Sequence, residues 1–311
     1  MDDRSLIEDG IDGRQTVVVK IGGARTVDPA GALADVAGLV ASDVDVIVVH
    51  GGSTALDETL TDLGREPTYV ETPSGVVGRF TDAETMEVLT MVMAGKLNTD
   101  LVSRLQNAGV DAVGLSGLDG CLLAGKRKSA VRVLEDGTKK IKRGERSATI
   151  DSVNADLLAT LLADGYTPVV GLPVCGREPD GGVSAVNTDA DRAAAAVAGA
   201  VGGDLVLLTD VAGVYADPAD PSTRIDRAAT PAAFETVRTA AEGFMTKKVM
   251  AAAEALEGGA SSVVVADANA DEPVTSALAG NGTTLTPGAI GTDESTIETG
   301  QSTPDAEVTD S

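Results

Sequence analysis

Residues 17–23 read Val17-Val18-Val19-Lys20-Ile21-Gly22-Gly23, and residues 46–53 repeat the device as Val46-Ile47-Val48-Val49-His50-Gly51-Gly52-Ser53. Each is a β-branched run that ends in a glycine turn. Uninterrupted apolar runs of this length are the mark of strands covered on both faces, where no side of the pleat meets water. The glycines let backbone N–H groups approach an anion closely, and a lysine beside them supplies a mobile positive charge. The spacing is not a Walker loop, because GxxxxGK[ST] is absent. Taken alone, the lysine–glycine turn fits a solvent-facing turn as well as it fits a phosphate site.

Working outward, the same rhythm recurs. Strands are expected at Val17–Ile21, Val44–Val49, Ala112–Leu115, Pro168–Leu172, Asp204–Leu208 and Ser261–Val265. Ala-rich helical stretches are expected at 54–64, 83–108, 151–164, 189–201 and 246–258. Such alternation implies right-handed βαβ crossovers and an α/β fold, a three-layer αβα sandwich around a mainly parallel central sheet. Ligands of such sheets sit at the carboxyl ends of the strands. The expected organisation is a disordered acidic tail at 1–14, a substrate lobe at 15–203, a nucleotide-binding lobe at 204–287 and a second disordered acidic tail at 288–311. The last stretch has almost no apolar residue to offset the entropy of ordering it.

Composition narrows the partners. Forty-eight acidic side chains against 24 basic ones leave a formal charge of -24. A phosphate backbone needs a basic footprint, so nucleic-acid binding is not expected. The same acidic excess, with three Tyr, three Phe and no Trp, suits a chain kept hydrated in strong salt. Two cysteines, Cys121 and Cys175, and one histidine, His50, form no ligand spacing, so no metal site and no disulfide framework are expected. No signal peptide or membrane-length apolar run occurs, which predicts a cytoplasmic protein without a membrane partner.

One segment breaks the rhythm. Residues 121–147 contain a strand pair around the turn Glu135-Asp136-Gly137. Between Gly125 and Ser147 nine Lys/Arg stand against three acids. On an acidic protein this basic hairpin is either a solvated loop or a docking surface for an acidic partner.

Six motifs together carry a resemblance. KIGG at 20–23, VVHGGS at 48–53, GRFTDAET at 78–85, VNTDADRAA at 186–194, LLTDVAGVY at 207–215 and GFMTKK at 243–248 occur in the order seen in the amino-acid kinase superfamily. Within it the chain resembles the acetylglutamate kinase group, over roughly residues 15–287. The resemblance implies an ATP-dependent phosphotransferase, with Mg²⁺ on the nucleotide, acting on a side-chain carboxylate. Lys20 and Lys248 match the lysines that stabilise the transferring phosphoryl group, and Asp191 the aspartate that orients them. Gly51, Gly52, Arg79 and Asn187 match substrate-binding positions, Arg79 gripping a main-chain carboxylate. Gly22, Gly23, Asp210, Gly213, Tyr215 and Met245 match the nucleotide side. A homodimer is implied as well.

Each role has a bland counterpart. Asp191 opens an Ala-rich helix and fits its amino-terminal cap. Arg79 fits a surface ion pair with Asp82 or Glu84. His50 fits a residue that orients the glycine loop better than a general base, since an ionised carboxylate needs none.

Three departures, Ser53 for a third glycine, the sequence around Arg79 and Asp189 for a second asparagine, look more like the kinases of the LysW carrier-protein pathway. There the amino group of glutamate or 2-aminoadipate is attached to a small acidic carrier. On that reading Lys126, Arg127, Lys128, Lys139, Lys140, Lys142 and Arg143 are expected to dock the carrier through contact ion pairs, which survive when salt screens long-range steering. The alternatives are a kinase for free N-acetylglutamate, for which the hairpin is superfluous, and a non-catalytic nucleotide or amino-acid sensor, for which a second phosphoryl-contacting lysine is superfluous.

Overall fold

A computed structural model of the chain describes residues 14–22, 28–73, 75, 77–135 and 137–291. Gly23 and most of both expected tails lie outside the described residues. The chain opens with β1 (Thr16–Ile21), α1 (Ala30–Ala41), β2 (Asp45–His50) and α2 (Ser53–Asp62). A small antiparallel pair, β3 (Tyr69–Glu71) and β4 (Val77–Arg79), leads into α3 (Ala83–Thr90) and α4 (Asn98–Asn107), joined by the π-helical stretch Met91–Leu97. Next come β5 (Ala112–Gly117), the long hairpin β6 (Leu123–Glu135) and β7 (Thr138–Val153), α5 (Ala155–Ala163), β8 (Thr167–Arg177) and β9 (Val183–Val186). The remainder is α6 (Ala190–Val201), β10 (Asp204–Thr209), β11 (Arg227–Ala228), α7 (Pro231–Ala240), α8 (Phe244–Glu257), β12 (Ser262–Asp267), α9 (Pro273–Leu278) and β13 (Thr283–Leu285).

Among the described residues an 11-stranded sheet runs β11-β13-β12-β10-β1-β2-β8-β6-β7, with β5 and β9 also paired to β8. Its centre, β12-β10-β1-β2-β8, is parallel. Antiparallel pairing is confined to β12–β13, β6–β7 and β8–β9. Alternate residues of each central strand divide between two cores. Val18, Ile47, Val49, Leu205, Leu207, Val263 and Val265 face one, and Val17, Val19, Val46, Val48, Val206, Leu208 and Val264 face the other. The first core is closed by residues of α2, α3, α5, α6 and α8, the second by residues of α1, α4 and α9. Both faces of each strand are thus withdrawn from water, which is the three-layer sandwich and the reason these strands read as unbroken apolar runs. No described helix is long and apolar enough to cross a membrane.

Several details depart from the expected elements. Residues 151–153 finish β7 and do not begin a helix; Asn154 caps α5 instead, its side chain accepting from the Leu157 N–H. The hairpin is longer than the 121–147 expected of it. Ordered structure continues past residue 287, through a turn at Pro287–Ile290 whose Ala289 is buried. At the other end Arg14 lies 3.7 Å from Asp45 in an ion pair. Helices α1, α7 and α9 and the short strands β3, β4, β9, β11 and β13 had no counterpart in the sequence reading.

Helices α6 and α8 pack directly against each other. Both helices are rich in buried alanine, among them Ala194, Ala195 and Ala198 of α6 and Ala251, Ala252 and Ala255 of α8. A Cβ placed on Gly199 would lie 3.0 Å from the backbone of Gly258. Backbone cannot yield as a side chain does, so Gly199→Val is expected to lower stability by about 2 kcal/mol through forced separation of the helices. An unchanged urea midpoint in that variant would show that the two helices part freely.

Candidate active site

The pleat places Lys20 on the same face of β1 as Val18, one row nearer the strand's carboxyl end, and α6 covers that face. Lys20 Nζ lies 2.7 Å from Asp191 Oδ1. Lys248, one turn into α8, lies 3.0 Å from Asp191 Oδ2 and 3.3 Å from Oδ1. All three are buried, with 6, 8 and 9% of the surfaces of Lys20, Asp191 and Lys248 exposed. One carboxylate therefore bridges two ammonium groups from different layers of the fold. Burial alone would push the Asp191 carboxyl up, but the charges of Lys20 and Lys248 outweigh it and hold the group well below the usual carboxylate range. Burial and the neighbouring Lys20 charge lower the Lys248 ammonium, and Asp191 opposes them.

Asp191 is not the cap of α6. That role belongs to Asp189, whose side chain accepts from the Asp191 and Arg192 N–H groups at 2.9 and 3.4 Å. With the cap supplied by its neighbour, Asp191 is released to face the lysines. The amino termini of α6 and α8 and two lysines bring positive potential to one place, and a single carboxylate offsets part of it. In a chain of charge -24 these groups concentrate positive charge at one point.

Gly51 and Gly52 lie beside it. The Gly51 N–H donates to Ile21 O at 3.2 Å, tying the glycine turn to the end of β1. Gly52 opens α2, and a Cβ there would fall 2.1 Å from Leu97 Cδ1, so the turn is pressed onto the π-helical stretch. Gly22 lies close to Lys20 Nζ, which a Cβ on Gly22 would meet at 3.9 Å.

His50 is buried behind this turn. Its Nε2 lies 3.1 Å from Asn98 Nδ2, and its Nδ1 3.3 Å from Gly51 O. With Asn98 as donor, Nε2 accepts and Nδ1–H donates to the Gly51 carbonyl, which fixes a neutral tautomer. Burial pushes His50 down from 6.5 to about 4; the Gly51 hydrogen bond opposes that and the Lys20 charge adds to it. A neutral ring with both nitrogens engaged orients the loop. Asn98 escaped the sequence reading, although it also donates to Val169 O at 2.8 Å and knits α4 to β8. Gly114 and Gly171 make room for the pair: a Cβ on Gly114 would sit 2.1 Å from Asn98 Oδ1, and one on Gly171 2.4 Å from His50 Nε2. Two glycines inside otherwise apolar strands were the available signal.

Arg79 stands at the end of β4, and its partners are not Asp82 or Glu84. Asp82 caps α3 and Glu84 pairs with Arg65. The Arg79 guanidinium pairs with Asp57 of α2, donates to Tyr69 Oη at 2.8 Å and to Ser53 O at 3.3 Å, and lies over the Tyr69 ring. It is thereby held at the amino terminus of α2, next to Gly51 and Gly52. Asn187, between β9 and α6, donates to Thr81 Oγ1 at 2.9 Å, and its backbone pairs with Arg146 and Ala148 of β7. The root of the basic hairpin thus shares Thr81 and Asn187 with this side of the site.

The expected nucleotide loop follows β10. Thr209 Oγ1 donates to Asp210 at 3.2 Å, Gly213 adopts a φ of 146°, and the Val214 N–H donates to Thr283 Oγ1 at 2.8 Å. Tyr215 pairs with Arg224, and Met245, at the start of α8, packs partly buried against the core. Among the described residues no hydrogen bond or ion pair joins this loop to the lysine pair. No group of three or more His, Cys, Asp or Glu able to hold a metal occurs among the described residues either.

The hairpin cations separate into two sets. Arg127 pairs with Glu178 at 3.0 Å, Lys128 donates to Thr149 at 2.6 Å, Lys140 pairs with Glu135 at 3.0 Å, and Lys142 lies 4.4 Å above the Phe80 ring. Lys126, Lys139 and Arg143, together with Arg132, have no ion-pair partner among the described residues. Cross-strand register places Arg132 opposite Ile141, flanked by Leu134–Lys139 and Ala130–Arg143. Ile141 is 64% exposed. That face is a cationic surface with an apolar centre.

The mainly parallel sheet thus carries Lys20 at the end of a central strand and Lys248 in the first turns of α8, bridged by one carboxylate. The chain belongs to the amino acid kinase family, whose model matches residues 15–267. It is 43% identical over 270 residues to the [LysW]-aminoadipate kinase of Deinococcus radiodurans, covering 86% of this chain and 91% of that one. It is 42% identical over 224 residues to the acetylglutamate kinase of Methanopyrus kandleri, covering 71 and 85%. Its fold resembles that of N-acetylglutamate synthase from Neisseria gonorrhoeae, with a TM-score of 0.68 and 23% identity over 88% of this chain; the chain spans 59% of that protein's length.

His50 sets a pH dependence. A group depressed on folding adds stability that is whole above its unfolded value and lost as pH falls through its folded one. Between pH 6.5 and about 4 the folded protein is expected to lose about 3 kcal/mol on account of His50. Urea titrations across that range should show the loss in the parent chain and not in His50→Gln; equal slopes in both would remove His50 from the account.

Proposed function

We propose that this chain is a cytoplasmic ATP-dependent kinase. Its substrate is the side-chain carboxylate of glutamate or 2-aminoadipate, held through its amino group on the carboxyl terminus of a small acidic carrier protein. The observation that carries the kinase reading is the lysine pair bridged by Asp191. A carboxylate attacking a terminal phosphoryl group brings anion to anion, so the protein's task is to neutralise charge and hold the line of attack. Lys20 and Lys248, kept apart and aimed by Asp191, are suited to the oxygens of the transferring group. ATP, as its Mg²⁺ complex, would supply the phosphoryl group, with Lys20 and Lys248 the residues placed to meet its oxygens. The nucleophile is already ionised, and His50 is spent on Asn98 and Gly51, so no protein base is required. Arg79, aimed by Asp57 and Tyr69, grips the substrate's main-chain carboxylate beside Gly51 and Gly52, and Asn187 holds the amino-linked end. Gly22, Asp210, Gly213, Tyr215 and Met245 form the nucleotide side.

The carrier reading rests on the hairpin. Its root is hydrogen-bonded to the residues around Asn187, so a protein seated on its cationic face can deliver an extended terminus into the site. Arg132, Lys139 and Arg143 around Ile141 form the seat, and Lys126 extends it. Arginines make bidentate contacts with carboxylates that hold at high salt better than long-range attraction does. The Deinococcus relative carries a carrier-dependent name. The Methanopyrus relative, nearly as similar over a shorter span, favours free N-acetylglutamate as a second reading. From the family resemblance we retain a homodimer, formed through the sheet or through the α3–α4 helix, where Met91 is exposed.

Hydroxylamine trapping of the acyl phosphate, with carrier-linked glutamate, carrier-linked aminoadipate and N-acetylglutamate offered in parallel, tests the reading. Turnover with N-acetylglutamate alone would reject the carrier. Lys248→Ala should cut kcat by about 100-fold while ATP binding holds. Residual turnover above roughly a tenth would remove Lys248 from the chemistry. Charge reversal at Arg132 and Arg143 together should raise KM for the carrier-linked substrate by about tenfold or more and leave kcat near its original value. An unchanged KM would reject the hairpin as the seat.

A further inference from the structure

The two cysteines of the chain are 54 positions apart in sequence, yet their sulfurs lie 2.7 Å apart. The sequence reading expected no disulfide framework, and the one histidine, His50, meets Asn98 and Gly51 rather than either thiol. Cys175 is buried in β8, between Ala124 of β6 and Ala185 of β9. Cys121 is exposed, in the turn that leads into β6.

That turn is built. Gly120 and Cys121 both take left-handed backbone, with φ of 57° and 48°. For a non-glycine residue this is uncommon and must be held by its surroundings. Asp119 Oδ2 accepts from Ser116 N and Oγ at 2.7 and 3.0 Å, Asn154 donates to Gly120 O at 3.1 Å, and the Leu122 N–H closes onto Asp119 O at 3.0 Å. The braced turn presents Cys121 Sγ to Cys175. Beyond it β6 touches β8 through only Ala124, Gly125 and Lys126 before the hairpin leaves the sheet.

We propose that Cys121 and Cys175 form a reversible disulfide that clamps the root of the β6–β7 hairpin onto β8. The oxidant is a hydroperoxide. It meets the exposed Cys121 thiol first, transferring one oxygen to give a sulfenic acid while the peroxide leaves as alcohol or water. Cys175 sulfur then attacks Cys121 sulfur; the S–O bond breaks, the S–S bond forms, and the thiol proton leaves with the hydroxyl as water. Cys175 is the resolving partner. Burial, with the Cys121 contact, pushes its thiol up to about 11, so by itself it is inert, and adjacency gives it its rate. The closed bond ties the first turn of the hairpin to the strand beside Asn187, enclosing the whole hairpin and α5 in one covalent loop.

The test uses the full chain treated with hydrogen peroxide and then with a thiol-blocking reagent. The expected result is loss of both free thiols, a monomer lighter by two hydrogens, a linked peptide joining Cys121 to Cys175, and recovery by dithiothreitol. Amide exchange at Leu123–Lys126 and Val174–Arg177 should slow severalfold in the oxidised protein. Cys175→Ala should leave Cys121 as a sulfenic acid trapped by dimedone, and Cys121→Ser should leave Cys175 unmodified. Retention of both thiols, oxygen added at Cys121 without a crosslink, or unchanged exchange in the crosslinked protein would each overturn the proposal. None of these readouts depends on the substrate of the kinase.

Discussion

The bridge from Lys20 through Asp191 to Lys248 is the constraint on which the rest of the site depends. Three charges buried together are tolerable only because each ammonium has its carboxylate, and removing that carboxylate would strand two like charges in low dielectric. To assemble the bridge, β1, α6 and α8 must end at the same point. The sheet provides the first, by running Lys20 to the carboxyl end of a central strand. The alanine and glycine surfaces of α6 and α8 provide the others, letting the helices approach until their first turns meet over that strand end. The small side chains of those helices therefore help to set the geometry of the site.

Around the bridge, neutral hydrogen bonding takes over from charge. His50 and Asn98 are held without formal charge, in space that Gly114 and Gly171 leave open, and their product is the position of one carbonyl, Gly51 O. Keeping His50 neutral avoids a third cation beside Lys20. Arg79 follows the opposite rule. Its charge is partly answered by Asp57 in advance, so the guanidinium is aimed before any ligand arrives. Preorganisation of this kind lowers the entropy of binding a flexible substrate.

The hairpin shows how a strongly acidic protein keeps a usable positive surface. Arg127, Lys128, Lys140 and Lys142 have partners within the fold, Glu178, Thr149, Glu135 and the Phe80 ring. The cations without an ion-pair partner among the described residues, Arg132, Lys139 and Arg143, gather around exposed Ile141, on the face opposite Lys140 and Lys142. A charge count along the sequence cannot separate these sets, because the pleat sends neighbours to opposite faces and the irregular register between Lys128 and Ala130 shifts the alternation. The expected docking residues were accordingly read as one run, with Arg132 omitted.

By itself the sequence determined the layered α/β plan, since strands buried on both faces must be apolar throughout and leave that imprint at Val17–Ile21 and Val46–Val49. It also marked Lys20, Gly51, Gly52, Arg79, Asn187, Asp191 and Lys248, through motifs whose residue types suit anion chemistry. What it left open were pairings across long separations. Asp189 rather than Asp191 caps α6, Asp57 rather than Asp82 or Glu84 holds Arg79, Asn98 holds His50, and Cys121 meets Cys175. Each of these depends on which elements lie side by side, and local sequence carries propensities for elements but not the distances between them. Only the packing of the sheet and its two helical layers decided those contacts, because burying the apolar faces settles where the polar groups must find their partners.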